Sequence, residues 1–147
     1  MKKAFTLIEI LVVATIIGLL AAGASVSYSQ FMKQSRDARR KADLEEIRSA
    51  LEMYRSNDEN GLYPLSLTMA CDSTAAIAFG SNTYLSRIPH DPKCTDSTYF
   101  YKSNDGTTYT LAAQLEGTAS QCTTGLPAGS CGTGLACNYC LGPTGEK

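Results

Sequence analysis

The sequence predicts an α+β fold. One long N-terminal helix, hydrophobic in its first half and amphipathic in its second, packs on a small antiparallel β-sheet, with a Cys-rich C-terminal loop region. Three observations predict it. Residues 5–24 form an apolar run in which Glu9 is the only ionisable side chain. No glycine or proline interrupts residues 24–60, so the helical pattern after the run continues it. Beyond residue 60, Lys and Arg thin out, Gly, Ser and Thr become frequent, and one stretch alternates as a hairpin does.

The first element is the apolar run. Roughly 20 such residues cross a hydrocarbon core of about 30 Å. Phe5, Leu7, Ile8, Ile10, Leu11, Val12, Val13, Ile16, Ile17, Leu19 and Leu20 together favour insertion by about 3–6 kcal/mol. A central carboxylate opposes it by about 2.5–3.5 kcal/mol, and by less near the end of a span. The segment therefore inserts despite Glu9. An intramembrane carboxylate asks for a partner. Lys2 and Lys3 precede Glu9 but can be solvated at the interface. The remaining cation is the α-amino group of Phe5, if the chain is cut just before it.

The second half of the helix is amphipathic. Leu44, Ile47, Ala50, Leu51 and Tyr54 recur at helical spacing as one apolar stripe. Arg40, Lys41, Glu45, Arg48 and Glu52 fall mostly elsewhere around the helix, and Asp37 with Lys41 forms an i,i+4 pair. The helix is expected from about Phe5 to about Ser56, ended by "NDENG" with Gly61 as the stop signal. Gly18 and Gly23 are its weak points, each costing about 1 kcal/mol relative to Ala.

Residues 62–93 read as an intervening loop with one short helix around 75–79. A hairpin is expected at about 98–115. Tyr99 and Tyr101 alternate with Phe100 and Lys102, "SNDG" at 103–106 supplies Asp-Gly turn chemistry, and Tyr109, Leu111, Ala113 and Leu115 alternate with polar or small residues. One face of this hairpin is expected to pack on the helix stripe. The organisation is a short basic N-terminus at 1–4, a transmembrane half-helix at 5–24, an amphipathic half-helix at 25–57, and a globular head at 58–147 whose Cys-rich tail occupies 116–147.

All six cysteines follow residue 70: Cys71, Cys94, Cys122, Cys131, Cys137 and Cys140. An even count in the exported part indicates disulfides. The tail is too poor in large apolar residues to form its own core, and each bridge contributes about 2–4 kcal/mol. Fifteen connectivities are open; Cys71 with Cys94 is favoured, the last four pairing among themselves. Zinc is the rival, since Cys137 and Cys140 form one C-x2-C, but Cys122 and Cys131 are badly spaced for a second pair. His90, the only histidine, lies beside Asp91 and near Cys94. It reads as a loop histidine rather than half of a Cys-His nucleophile pair. A net charge of -1 excludes bulk electrostatic binding of nucleic acid.

"MKKAFTLIEILVVATIIGLLAAGA" resembles the class III signal sequence of type IV pilins and type II secretion pseudopilins. The resemblance implies a type IV pilin-like fold. It implies that prepilin peptidase removes Met1 to Ala4, that Phe5 is then N-methylated, and that Glu9 pairs with a neighbour's N-terminus during filament assembly. It further implies partners: a homo-oligomeric helical filament with related minor pilins, an assembly platform and its ATPase, and a membrane before assembly. The place is the inner (cytoplasmic) membrane as a single-pass protein, then a cell-surface or periplasmic filament. "GLYPL" resembles the turn after the family's long helix, and "YLSRIPHDP" resembles its approach to the first strand. Two positions depart from the pattern. Ala4 stands where Gly usually precedes the cut, and Val26 stands where many members carry a helix-kinking proline.

The resemblance also raises calcium, which secretion pseudopilins often bind in the C-terminal region. "SNDG" and "CTDS" offer oxygens, but no loop is dense in carboxylates at ligand spacing, so no cofactor or metal is expected, with calcium the alternative. Arg36, Arg39, Arg40 and Lys41 suit DNA phosphate in a competence pilus, or more simply a solvated face or subunit contact. The expected function is a structural, non-enzymatic pilus subunit; the alternative is a major-type pseudopilin. A soluble enzyme or binding module is the competitor of another class. Lys2 and Lys3, the apolar run and "AGA" at 22–24 also satisfy a signal peptide. Lys33, Arg36, Arg39, Arg40 and Lys41 after the span outnumber the two lysines before it, against the positive-inside rule.

Overall fold

The computed structural model describes residues 4–117, 122, 126, 127 and 129–146, with the backbone alone at 24–27. One helix, α1 (Leu7–Asn57), is followed by six short strands. They are β1 (Ile77–Phe79), β2 (Asn82–Leu85), β3 (Phe100–Ser103), β4 (Tyr109–Ala113), β5 (Tyr139–Gly142) and β6 (Gly145–Glu146). The chain divides into two units, Met1–Ser35 and Arg36–Lys147, the division falling inside α1. The architecture is α+β and pilin-like.

In the first unit the stretch of α1 from Ile10 to Ala24 carries no charged side chain. Its apolar window is long enough to cross a membrane, and none of it is buried. Among the described residues nothing covers Leu7, Ile8, Leu19 or Leu20, each more than two-thirds exposed.

In the second unit the helix stripe finds a cover. Leu44, Ile47, Ala50 and Leu51 are buried against Tyr99, Tyr101, Tyr109, Leu111, Ala113, Tyr139 and Leu141 from β3, β4 and β5. These three strands and β6 form an antiparallel sheet in the order β3-β4-β5-β6. Leu111 stands opposite Tyr101 on one side and Leu141 on the other, so the inward residues stack across the sheet. Five tyrosines in this core bring hydroxyls that need partners. Glu52 of α1 accepts from Tyr63 at 2.9 Å and from Tyr109 at 3.3 Å, Asp43 accepts from Tyr99 at 2.7 Å, and the Pro64 carbonyl accepts from Tyr101.

Two expectations need correction. Residues 77–79 are a strand, paired with β2 in a separate two-stranded sheet, where a short helix was expected. The segment is too short for helical periodicity to decide it, and Ile77 is buried in the core as one side of a strand can be. The tail is not only loop. It supplies β5, every residue of which is buried, and the edge strand β6.

The tail also covers the second face of the sheet. Ala112, Cys131 and Cys140 form a small buried cluster, with Phe100, Cys122, Leu126 and Cys137 packed around it. Backbone contact here is close. Ser97 bridges to Gly132, whose φ is +136°, and a Cβ at Gly132 would collide with the Asp96 carbonyl oxygen. Asn138 extends the β4–β5 ladder. Its side chain accepts from the Leu115 N–H at 2.7 Å and donates to the Leu115 carbonyl at 3.0 Å.

Candidate functional site

In the first unit Ala4, Phe5 and Thr6 precede the helix, and Phe5 is 76% exposed. Thr6 caps α1. Its carbonyl accepts from the N–H groups of Glu9 at 3.2 Å and Ile10 at 3.4 Å, and its hydroxyl oxygen lies 3.4 Å from the Glu9 nitrogen. Glu9 therefore occupies the last position of a Thr-x-x-Glu capping pattern. A carboxylate in the first turn also suits the positive end of the helix dipole. Sequence reading missed this role, although the Thr6–Glu9 spacing signals it. Among the described residues no side chain pairs with the Glu9 carboxylate.

In the second unit the basic run is split: Arg39 and Lys41 are exposed, whereas Arg36 and Arg40 turn to carboxylates. Arg40 is only 1% exposed and holds the Asp91 carboxylate with two bonds, Nε to Oδ2 at 2.7 Å and Nη2 to Oδ1 at 3.0 Å. It also donates to Asp37 at 2.8 Å and Glu116 at 3.2 Å. Arg36 holds Glu116 bidentately at 2.6 and 2.7 Å, and Lys93 adds a bond to Glu116 at 2.9 Å. Asp37 pairs with Arg40, not with Lys41, and accepts the backbone N–H groups of Glu116 and Gly117, both at 2.9 Å. Lys41 instead lies over the Tyr139 ring, 5.1 Å from its centroid. Arg39 is exposed.

The ionisation of this cluster follows from its geometry. Burial pulls the Arg40 guanidinium down, but the hydrogen bonds and charge of Asp91, with Asp37 and Glu116, outweigh it and raise its pKa. Burial pushes the Asp91 carboxyl up, and Arg40 and the Lys93 N–H, which donates at 2.7 Å, more than reverse that. The Arg36 hydrogen bonds, against partial burial and helped by Lys93 and Arg40, hold Glu116 well below the usual carboxylate range. Arg40, Asp91 and Glu116 are the residues sequence reading did not single out together. Arg40 was visible only as part of a charge run, and nothing local linked it to a carboxylate 51 residues away.

Cys71 is bonded to Cys94, Cys122 to Cys140, and Cys131 to Cys137. The Cys94 sulfur is therefore no nucleophile for His90, whose Nδ1 lies 3.4 Å from the Asp91 carbonyl. No thiol among the described residues is free to ligate zinc. Asp105 of "SNDG" accepts from the Thr107 hydroxyl at 2.7 Å and the Thr107 N–H at 3.0 Å. These bonds lower its pKa and brace the hairpin turn. Among the described residues no three His, Cys, Asp or Glu side chains are arranged to hold a metal.

No curated protein and no solved structure matches the chain. The prokaryotic N-terminal methylation motif matches residues 1–25. On this pilin-like α+β fold, residues 1–25 thus bear the signature of type IV pilins and pseudopilins.

Proposed function

We propose that this chain is a structural, non-enzymatic subunit of a type IV pilus. Prepilin peptidase removes Met1 to Ala4, Phe5 is N-methylated, and residues 5–24 hold the chain in the inner membrane as a single pass. The assembly platform and its ATPase then draw it into a filament. There Glu9 neutralises the α-ammonium of Phe5 on a neighbouring copy, and the apolar half of α1 packs among its equals. The observation that carries this reading is the methylation motif on a helix whose apolar window is wholly exposed in the single chain. Such a helix gains its burial from lipid or from many copies of itself.

The motif is shared with pseudopilins, and the Cys-rich tail favours the pilus. Its sequence offers no carboxylate-dense loop at calcium spacing. Intact mass spectrometry of the membrane and filament fractions tests processing: the mature chain is expected to begin at methylated Phe5. A chain beginning at Ser25 would show that an ordinary signal peptidase releases it, and the filament reading would fall.

A further inference from the structure

We infer that Tyr28 and Phe31 form an aromatic collar that seats α1 at the headgroup level of the bilayer leaflet farther from Phe5, with Lys33 reaching the lipid phosphates. The inference rests on the membrane-anchored stage proposed above and adds where the lipid contact ends.

Three observations support it. First, Tyr28, Phe31 and Met32 are spaced i, i+3, i+4 on one helix face, and both rings are about two-thirds exposed, so the first unit itself does not use them. Second, their height fits. Residues 5–24 fill a hydrocarbon core of about 30 Å, and the headgroup region adds about 5–8 Å on each side. At about 1.5 Å per residue, Tyr28 lies roughly 6 Å and Phe31 roughly 10 Å past Ala24. Helical side chains lean toward the N-terminus, which brings both rings back toward the core boundary. Third, the polarity changes in the right order. Apolar residues give way to two aromatic rings and then to Lys33, exposed and long enough to reach phosphate oxygens. The Tyr28 hydroxyl favours this interface, and Phe31 one turn on adds apolar ring surface on the same face. A bilayer surface offers all three environments in this order.

The chain contains no tryptophan, so one introduced tryptophan reports alone. Phe31→Trp, Leu11→Trp and Leu65→Trp are placed in the full chain. They are reconstituted at high dilution in phosphatidylcholine–phosphatidylglycerol vesicles carrying a nitroxide either on the headgroup or deep on the acyl chain. Phe31→Trp is expected to lose most fluorescence to the headgroup label, Leu11→Trp to the deep label, and Leu65→Trp, in the head, to neither. Phe31→Trp behaving as Leu65→Trp while Leu11→Trp is quenched overturns the collar and leaves the anchor standing. Leu11→Trp escaping both labels overturns the anchor and the collar together. Phe31→Trp unquenched by lipid but shielded from iodide as protein concentration rises assigns the face to a second copy, and overturns the proposal. Because tryptophan itself favours the interface, the native rings are tested in a Leu20→Trp background. Tyr28→Ser with Phe31→Ser is expected to shift the depth of that reporter, and an unchanged depth overturns the collar.

Discussion

Two stretches of one helix carry the same side chains and treat them in opposite ways. Leu7 and Leu19 are 83% and 76% exposed, whereas Leu44, Ile47 and Leu51 are wholly buried. The difference is pattern, not hydrophobicity. A stripe at 3.6-residue spacing has one face, and one sheet can cover it. A run apolar on all sides needs a partner that surrounds it. Charge follows the same division. Asp91 meets Arg40 inside its own unit, while the Glu9 carboxylate has no side-chain partner among the described residues. The second unit completes itself, whereas among the described residues the first leaves its apolar surface and the Glu9 carboxylate uncovered.

The sharpest way to break this contrast is to remove Glu9. In a filament core, a terminal ammonium left without its counter-charge costs about 3–5 kcal/mol. Glu9→Leu is expected to insert as well as the parent or better and to be processed, since the cut proposed above lies before Phe5. The ratio of filament-bound to membrane-bound mature protein should fall by more than about a hundredfold. An equal ratio at equal expression would reduce Glu9 to a first-turn carboxylate at the positive end of the helix dipole.

The matching change in the self-completed unit is Arg40→Leu. It strands Asp91, which is 1% exposed, without its guanidinium. The head should lose about 3 kcal/mol, read as the urea midpoint of its near-ultraviolet tyrosine signal. Arg40→Met with Asp91→Leu should recover most of the loss, because no buried charge is then left alone. If the double variant is as unstable as the single, the helix and the Asp91 loop depend on the ion pair itself.

What could be read in the sequence divides by range. The helix was legible because its signals are local: an unbroken period, no proline, and Gly61 after "NDEN". Its observed limits, Leu7–Asn57, differ from expectation by a residue or two. The β3–β4 hairpin was legible for the same reason, with Tyr109, Leu111 and Ala113 alternating into the core. The methylation motif was legible because its chemistry is contiguous. Strand β5 was not. "YCLG" is short, lies among glycines, and becomes a strand only by pairing with β4. Arg40 was misplaced because burial of a charge depends on a partner far along the chain, and periodicity carries no trace of Asp91 or Glu116.

The tail ranks next in expected effect. In the chain-entropy account a bridge stabilises more as it closes a longer loop. Cys122–Cys140 spans 18 residues and Cys131–Cys137 spans 6. Replacing the first pair by serine should cost about 3 kcal/mol and replacing the second about 2 kcal/mol, both read as head stability. The first pair also ties residue 122 to the buried strand β5, so its loss should expose Ala112 and Phe100 to solvent. The opposite ranking would place the tail's stability in the tight Cys131–Cys137 loop.

The smallest effect separates the two regions by pH. Asp91 and Glu116 both have folded pKa values below those of ordinary carboxylates. A carboxylate of this kind stabilises the fold fully above its unfolded pKa, about 4, and loses that contribution as pH falls through the folded value. The head should therefore hold its urea midpoint from neutral pH to about pH 5 and lose it progressively below about pH 4. The apolar anchor rests on burial in lipid, so the full chain should still float with vesicles at pH 3 while its head is destabilised. Glu116→Gln should make the acid loss shallower without abolishing it, because Asp91 still titrates against Arg40. The change should be modest: the Glu116 side chain is 18% exposed, and solvent and salt weaken its pairs with Arg36 and Lys93. Raising the salt should accordingly narrow the difference between Glu116→Gln and the parent. A head whose midpoint is flat down to pH 2 would mean that these carboxylates meet the same surroundings folded and unfolded, and that their bonds to Arg36 and Arg40 do not stabilise the head.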